Sequence, residues 1–201
     1  MKKIFAITTV VLGLVSMSQA QFGLKLGAGL ASIHGDKAVE TMYDGSIISP
    51  MAGITYHLTF GPIGVKPELM LVRKGASGSM PTDYDITGTV TKTSDYTLSA
   101  WYLDAPLLGS FSILPTLSII AGPSIGYFLT GSEKLGSESH SISSSDIASL
   151  NIGAVAGIQF MLPIAGLGID ARYQRGFTTM DKKGDFDLMT DGIQITATYL
   201  F

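Results

Sequence analysis

The sequence predicts an all-β chain folded as an eight-stranded antiparallel up-and-down transmembrane β-barrel, on three observations. Apolar and polar residues alternate in short segments along most of the 201 residues, the period of a strand with two unlike faces. Beyond the first twenty residues no apolar run approaches the ~20 residues that a membrane-crossing helix needs. The connections between the alternating segments are short and long in turn. In lipid every backbone polar group has to be paired internally, and strands achieve this only in a closed sheet.

Lys2 and Lys3 precede an apolar run over 4–15 and the small-x-small site Ser18-Gln19-Ala20. This order predicts a secretory signal peptide over 1–20 and a barrel domain over 21–201. Without Lys2 and Lys3 the chain keeps 11 basic against 16 acidic residues, a formal charge of −5, so no basic surface points to nucleic acid. There are no cysteines, which excludes disulfides, thiolate metal sites and cysteine nucleophiles.

The first strand is expected over 22–32, with Phe22, Leu24, Leu26, Ala28 and Leu30 opposite Gly23, Lys25, Gly27, Gly29 and Ala31. The second covers 47–59 and sets Ala52, Ile54, Tyr56 and Leu58 outward and Gly53, Thr55, His57 and Thr59 inward. A tight turn over 60–64 leads into a third strand over 65–74. The fourth runs over 96–113 and turns at Leu114-Pro115-Thr116 into the fifth, over 117–129. The sixth covers 150–162 and turns at 163–166 into the seventh, over 167–177. The eighth and closing strand, 192–201, places Ile193, Ile195, Ala197, Tyr199 and Phe201 opposite Gln194, Thr196 and Thr198.

Between these strands lie four longer polar segments, 33–46, 75–95, 130–149 and 178–191. They carry acidic side chains and runs of Ser, Thr and Gly, such as 137–145, and read as mobile, water-facing loops at the end opposite the chain termini.

The inward parity collects Lys25, Thr55, His57, Lys66, Glu68, Tyr102, Asp104, Asn151, Gln159, Asp170, Arg172, Gln174, Gln194, Thr196 and Thr198. Three cations, Lys25, Lys66 and Arg172, meet three carboxylates, Glu68, Asp104 and Asp170. Eight strands enclose a bore just wide enough for side chains. Isolated charges there are costly, so the balance implies a paired, hydrogen-bonded filling rather than an ion path. The outward parity collects Tyr56, Phe60, Trp101, Phe111, Tyr127, Phe160, Tyr173, Tyr199 and Phe201, placed for aromatic girdles at the two membrane interfaces. Arg73 and Arg175 fall on the same parity near the outer ends of strands three and seven, within reach of lipid phosphates. A soluble ligand-binding barrel of the lipocalin type would reverse these faces and expose far more apolar area than a soluble monomer tolerates.

Strand four contains Trp101-Tyr102-Leu103-Asp104-Ala105-Pro106-Leu107-Leu108, and with Ala121-Gly122-Pro123-Ser124-Ile125-Gly126-Tyr127, Ile152-Gly153-Ala154-Val155-Ala156-Gly157-Ile158, Asp170-Ala171-Arg172-Tyr173-Gln174-Arg175-Gly176 and the terminal Phe201 it resembles the PorT-like family of Gram-negative outer-membrane β-barrels. Ala105 stands where that family commonly has a larger aliphatic residue. The resemblance implies an outer-membrane location, porin-like architecture and both termini on the periplasmic side. It implies lipid and lipopolysaccharide as surroundings, recognition of Phe201 by the barrel assembly machinery, and protein partners met through the external loops at the cell surface. The leading expectation is a non-enzymatic scaffold that needs no cofactor. An accessory role in protein secretion, a small channel and a lipid A-modifying enzyme are the alternatives.

An enzyme of the last kind needs a base within ~3 Å of the group it activates. His34 near Asp36, and His140 amid Glu138, Ser139 and Ser141, are the only local combinations. His57 reads as a hydrogen-bonded interior histidine. Asp181-Lys182-Lys183-Gly184-Asp185-Phe186-Asp187 superficially suggests calcium, but its two lysines and its spacing do not fit an EF-hand loop. Gly27-Ala28-Gly29 reads as relief of crowding in a narrow barrel rather than as a nucleotide fingerprint.

Overall fold

The computed structural model describes residues 19–84, 90–136, 138–143, 147–163, 166–182 and 187–201. Its elements in order are β1 (Gln19–His34), α1 (Lys37–Met42), β2 (Gly45–Phe60), β3 (Ile63–Tyr84), β4 (Val90–Leu114), β5 (Leu117–Leu135), β6 (Glu138–Ile142), β7 (Leu150–Met161), β8 (Leu167–Gly176) and β9 (Met189–Leu200). Eight strands form a closed antiparallel ring, β1-β2-β3-β4-β5-β7-β8-β9, with β9 returning to β1 and β4 pairing with β5. The ninth strand, β6, lies outside this ring and, among the described residues, pairs with the end of β5, from Gly131 to Leu135.

Alternation sets the faces. In β8 each successive residue switches between exposed and buried, with Leu167, Ile169, Ala171, Tyr173 and Arg175 outside and Gly168, Asp170, Arg172, Gln174 and Gly176 inside. The same inversion holds around the ring: Leu26, Leu30, Ile48, Leu107, Ile125, Ile158, Ile193 and Ile195 are more than half exposed, while Lys25, Glu68, Asp104 and Asp170 are buried. Apolar outside and polar inside is the pattern of a barrel solvated by lipid.

The seam between β1 and β9 runs in register from Gly23 opposite Leu200 to His34 opposite Met189. Glycine is required along it. A Cβ on Gly27 would overlap the Ile195 carbonyl oxygen and the Thr196 Cα, so the two backbones approach as closely as they do only because Gly27 is bare. Below the ladder the Phe201 N–H donates to the Phe22 carbonyl at 2.9 Å, and the two rings meet edge to face at 5.3 Å.

Proline interrupts the ladder elsewhere. The β2–β3 pairing passes from Thr55 opposite Glu68 directly to Leu58 opposite Val65, and the β3–β4 pairing from Pro67 opposite Leu107 to Met70 opposite Asp104. Pro67 and Pro106 donate no N–H, so each leaves a local gap that the closed ring around it tolerates.

The outer segments, expected to be loops from their composition, contain regular elements. β3 and β4 continue as a hairpin well past the other strands, paired from Ser77 opposite Thr97 to Tyr84 opposite Val90. Val90, Thr91, Thr93 and Tyr96 favour extended backbone, and this preference prevails over the Ser and Gly around them. Segment 33–46 contains α1, and part of the Ser-rich segment forms β6. Residues 137 and 144–146 of that segment lie outside the described residues.

Candidate functional site

Inward alternation from six strands builds one connected polar filling. At its lower end the Lys66 ammonium donates to Gln159 Oε1, and Gln159 Nε2 donates to Asp170 Oδ1 at 2.7 Å. Lys25 then bridges Asp170 and Glu68, the latter at 2.6 Å. Arg172 Nη1 donates to the other Glu68 oxygen at 2.6 Å and its Nε to Gln194 at 2.9 Å. Gln194 donates to Gln174 at 2.8 Å, and Gln174 donates to Asp104 Oδ2 at 2.7 Å. Lys74 pairs with the same Asp104 oxygen at 2.9 Å and donates to Asn151 Oδ1 at 2.9 Å. Thr196 and Thr190 add hydroxyl donors to Asp170 and Asn151.

All fifteen residues of the inward parity are less than a tenth exposed. Lys74 joins them, a residue that the sequence reading left out. It continues the even parity of Lys66, Glu68, Met70 and Val72 along β3, and this was the signal available for it. With Lys74 the buried charges among the described residues number four cations against three carboxylates rather than three of each. The room left over near the upper end is a cavity of about 10 Å³ beside Ser49, Lys74, Gln174, Thr190 and Gln194, space for about one water molecule.

Above this polar filling sits an apolar one. Ile33, Val39 and Tyr43 from the first outer segment, Ala76 from the second, Tyr96 and Leu98 from the part of β4 that follows it, Ile142 and Ile147 from the third segment and Met180 from the fourth bury one another, with Met42 and Leu188 packed against them. Tyr102 and Phe128 of the barrel wall form its floor, their rings 5.7 Å apart and steeply tilted. Tyr43 and Tyr96 meet edge on at 5.5 Å with hydroxyls 3.5 Å apart. Burial raises the pKa of both phenols, because the charged phenolate is the form that burial penalises. Short backbone bonds fasten the pieces: the Ala148 N–H donates to the Met180 carbonyl at 2.9 Å and the Met180 N–H to the Leu188 carbonyl at 2.7 Å. The bore is thus filled by charge pairs below and closed by a small hydrophobic core above.

On the outside, Phe22, Tyr56, Phe60, Phe111, Phe160, Tyr199 and Phe201 stand toward the end of the short turns, and Trp101, Tyr127, Tyr173 and Phe177 toward the other. Phe60 and Trp101 are half-buried and the others exposed. Arg175 is exposed on β8, whereas Arg73 is held by a 2.6 Å hydrogen bond from its Nε to Ser99 Oγ. His34 Nδ1 lies 2.9 Å from Asp191 Oδ2, a partner on β9 rather than the neighbouring Asp36, and the Tyr173 hydroxyl donates to the other Asp191 oxygen at 2.7 Å. His140 and Glu138 are exposed and 3.9 Å apart. Of the calcium-like stretch, 183–186 lie outside the described residues, and no cluster of three or more metal-ligating side chains occurs among the described ones.

A family model described as outer membrane protein beta-barrel domain matches residues 16–182. The chain belongs to this family. Among solved structures, the outer-membrane barrel shares its fold with the crystal structure of Neisserial surface protein A, NspA, at a TM-score of 0.57 and 12% identity, covering 90% of this chain and 97% of that one. It is also similar to Ail, the attachment invasion locus protein of Yersinia pestis, solved in complex with the heparin analogue sucrose octasulfate, at a TM-score of 0.48 and 17% identity, covering 90% of this chain and 99% of Ail. No curated protein matches the chain in sequence. An outer-membrane barrel of this family belongs in the outer membrane of a Gram-negative bacterium. Its apolar outer face meets lipid there.

Proposed function

We propose that this outer-membrane barrel is a non-enzymatic, non-conducting scaffold that presents a single folded extracellular surface to partner proteins. The observation that carries this reading is the apolar cluster in which side chains from all four outer segments are buried together. Segments evolved only to cover a pore would not need a shared core, whereas a fixed recognition surface does, because preorganisation removes the ordering cost of binding. Thirteen of the sixteen acidic residues fall in those four segments, so the surface they present is acidic and suits a partner with a basic face.

The same reading assigns Tyr56, Phe60, Trp101, Tyr127, Phe160, Tyr173 and Tyr199 to the membrane interfaces, Arg175 to the phosphates of lipid or lipopolysaccharide, and Phe201 to recognition by the barrel assembly machinery. Cleavage after Ala20 belongs to it too. An accessory role in protein secretion, as the PorT-like resemblance implies, is a special case in which the partner is a secretion component. Crosslinking in intact cells, followed by extraction of outer membranes in mild detergent, tests the proposal. A reproducible crosslinked species larger than one chain, lost when the outer segments are replaced by short Gly-Ser turns, supports it. Recovery of only the uncrosslinked chain, under conditions that capture a known outer-membrane complex, contradicts it.

A further inference from the structure

Three of the four buried cations lie against a carboxylate: Lys25 touches Glu68 and Asp170, Arg172 touches Glu68, and Lys74 touches Asp104. Lys66 is the exception. The residue is 5% exposed, and the hydrogen bond of its ammonium goes to the neutral amide oxygen of Gln159. With three carboxylates for four cations, the surplus positive charge of the bore falls at its periplasmic end. Opposite Lys66, where the β2–β3 ladder opens beside Pro67, stands His57, 3% exposed, and its Nε2 is buried with no hydrogen-bond partner among the described residues. The walls below are Ser110, Ser112 and Ser118 with Gly64 and Thr59, neutral groups that include hydroxyl donors. The turns on this side, over 60–64, 114–117 and 162–167, contain no acidic residue.

We infer that the periplasmic end of the bore is a binding site for a small inorganic anion of the chloride type, held between Lys66 and His57. The carboxylates that act on Lys66, Asp170 and Glu68, are already shared with Lys25 and Arg172, and a buried charge so incompletely compensated is costly; the unpartnered His57 Nε2, when it carries the proton, supplies a second donor. Lys66, His57 and Gln159 are all almost fully buried, which limits the ligand to one or a few atoms. This inference concerns the interior, and it stands or falls independently of what the extracellular surface binds.

The test is the unfolding of the purified, refolded protein in detergent micelles, in sodium chloride or sodium gluconate at equal ionic strength. A ligand of the folded state alone raises stability with the logarithm of its concentration above Kd. The wild-type midpoint is expected to rise as chloride replaces gluconate, the rise to persist in Lys134→Gln on the exposed surface, and to vanish in Lys66→Met. A midpoint equal in both salts, or a chloride effect that survives Lys66→Met, overturns the site. Crystals grown in sodium bromide give a reading that needs no variant: anomalous density next to the Lys66 ammonium is expected, and bromide confined to the outer surface refutes the proposal.

Discussion

Arg172 Nη1 and Glu68 Oε2 stand 2.6 Å apart, and this contact joins β8 to β3, strands on opposite sides of the eight-membered ring. Lys25 holds the other Glu68 oxygen, so the carboxylate is gripped from two strands at once. Breaking a buried pair by removing one partner leaves a bare charge and costs about 3–5 kcal/mol, while removing both costs much less. Arg172→Met and Glu68→Gln should each lower stability by an amount of that order, and the double variant by clearly less than the sum. Urea unfolding in lipid bilayers measures this. Strict additivity would show that the two groups do not depend on each other.

The apolar cap should be separable from the barrel. Val39 and Met180 are 2% and 1% exposed in it, and a carboxylate at either place is buried without a partner. Val39→Asp or Met180→Asp is expected to speed tryptic cleavage after Lys37 and Lys134 by roughly tenfold or more, since several kcal/mol of cap stability are lost. The barrel itself should keep the faster migration of a folded barrel on unheated gels. Unchanged cleavage in both variants would mean that the segments are not held by this cluster.

The Tyr43–Tyr96 pair gives the cap a pH limit. Burial raises both phenol pKa values above the ordinary ~10, so the folded cap holds these protons more tightly than the unfolded segments do. That contribution is complete below about pH 10 and is lost as pH rises above it. Spectrophotometric titration at 295 nm should show Tyr43 and Tyr96 among the tyrosines that resist ionisation until the cap opens. Tyr43→Phe with Tyr96→Phe should reduce the resistant fraction by two tyrosines and leave that of the buried Tyr102. Simultaneous titration of every tyrosine near the ordinary value would contradict the buried placement.

At the seam, Gly27→Val should disturb closure more than Ala28→Val. The Gly27 position faces the Ile195 carbonyl and Thr196 inside the barrel, whereas Ala28 points outward, where a larger apolar side chain meets lipid. The yield of heat-modifiable, folded protein after refolding is the measure. Equal yields would rule out the close β1–β9 approach.

How much of this was legible in the sequence differs between the two fillings. Asp170, Arg172 and Gln174 alternate with Ile169, Ala171 and Tyr173 without a break, so β8 and its inward charges follow from period two alone. Lys74 was harder, because Met70 and Val72 interrupt the polar parity of β3 before it. The apolar cap had no periodic signal at all. Ile33, Val39, Ile142, Ile147, Met180 and Leu188 are scattered singly among Ser, Asp and Gly, and only closure of the ring brings their segments together. The His34–Asp191 contact has the same origin: these residues neighbour each other through the β1–β9 register, which local sequence does not reveal.

The central claim is that the barrel is closed, by ion pairs across the bore and by the cap above them. Planar-bilayer recording of the refolded protein tests it most directly. Bilayers shown by gel assay to contain folded barrel should give no discrete conductance steps at either polarity. Reproducible unitary steps that scale with the number of inserted barrels would mean that an open path runs past Arg172 and Glu68, and that the interior is a channel rather than a filled support.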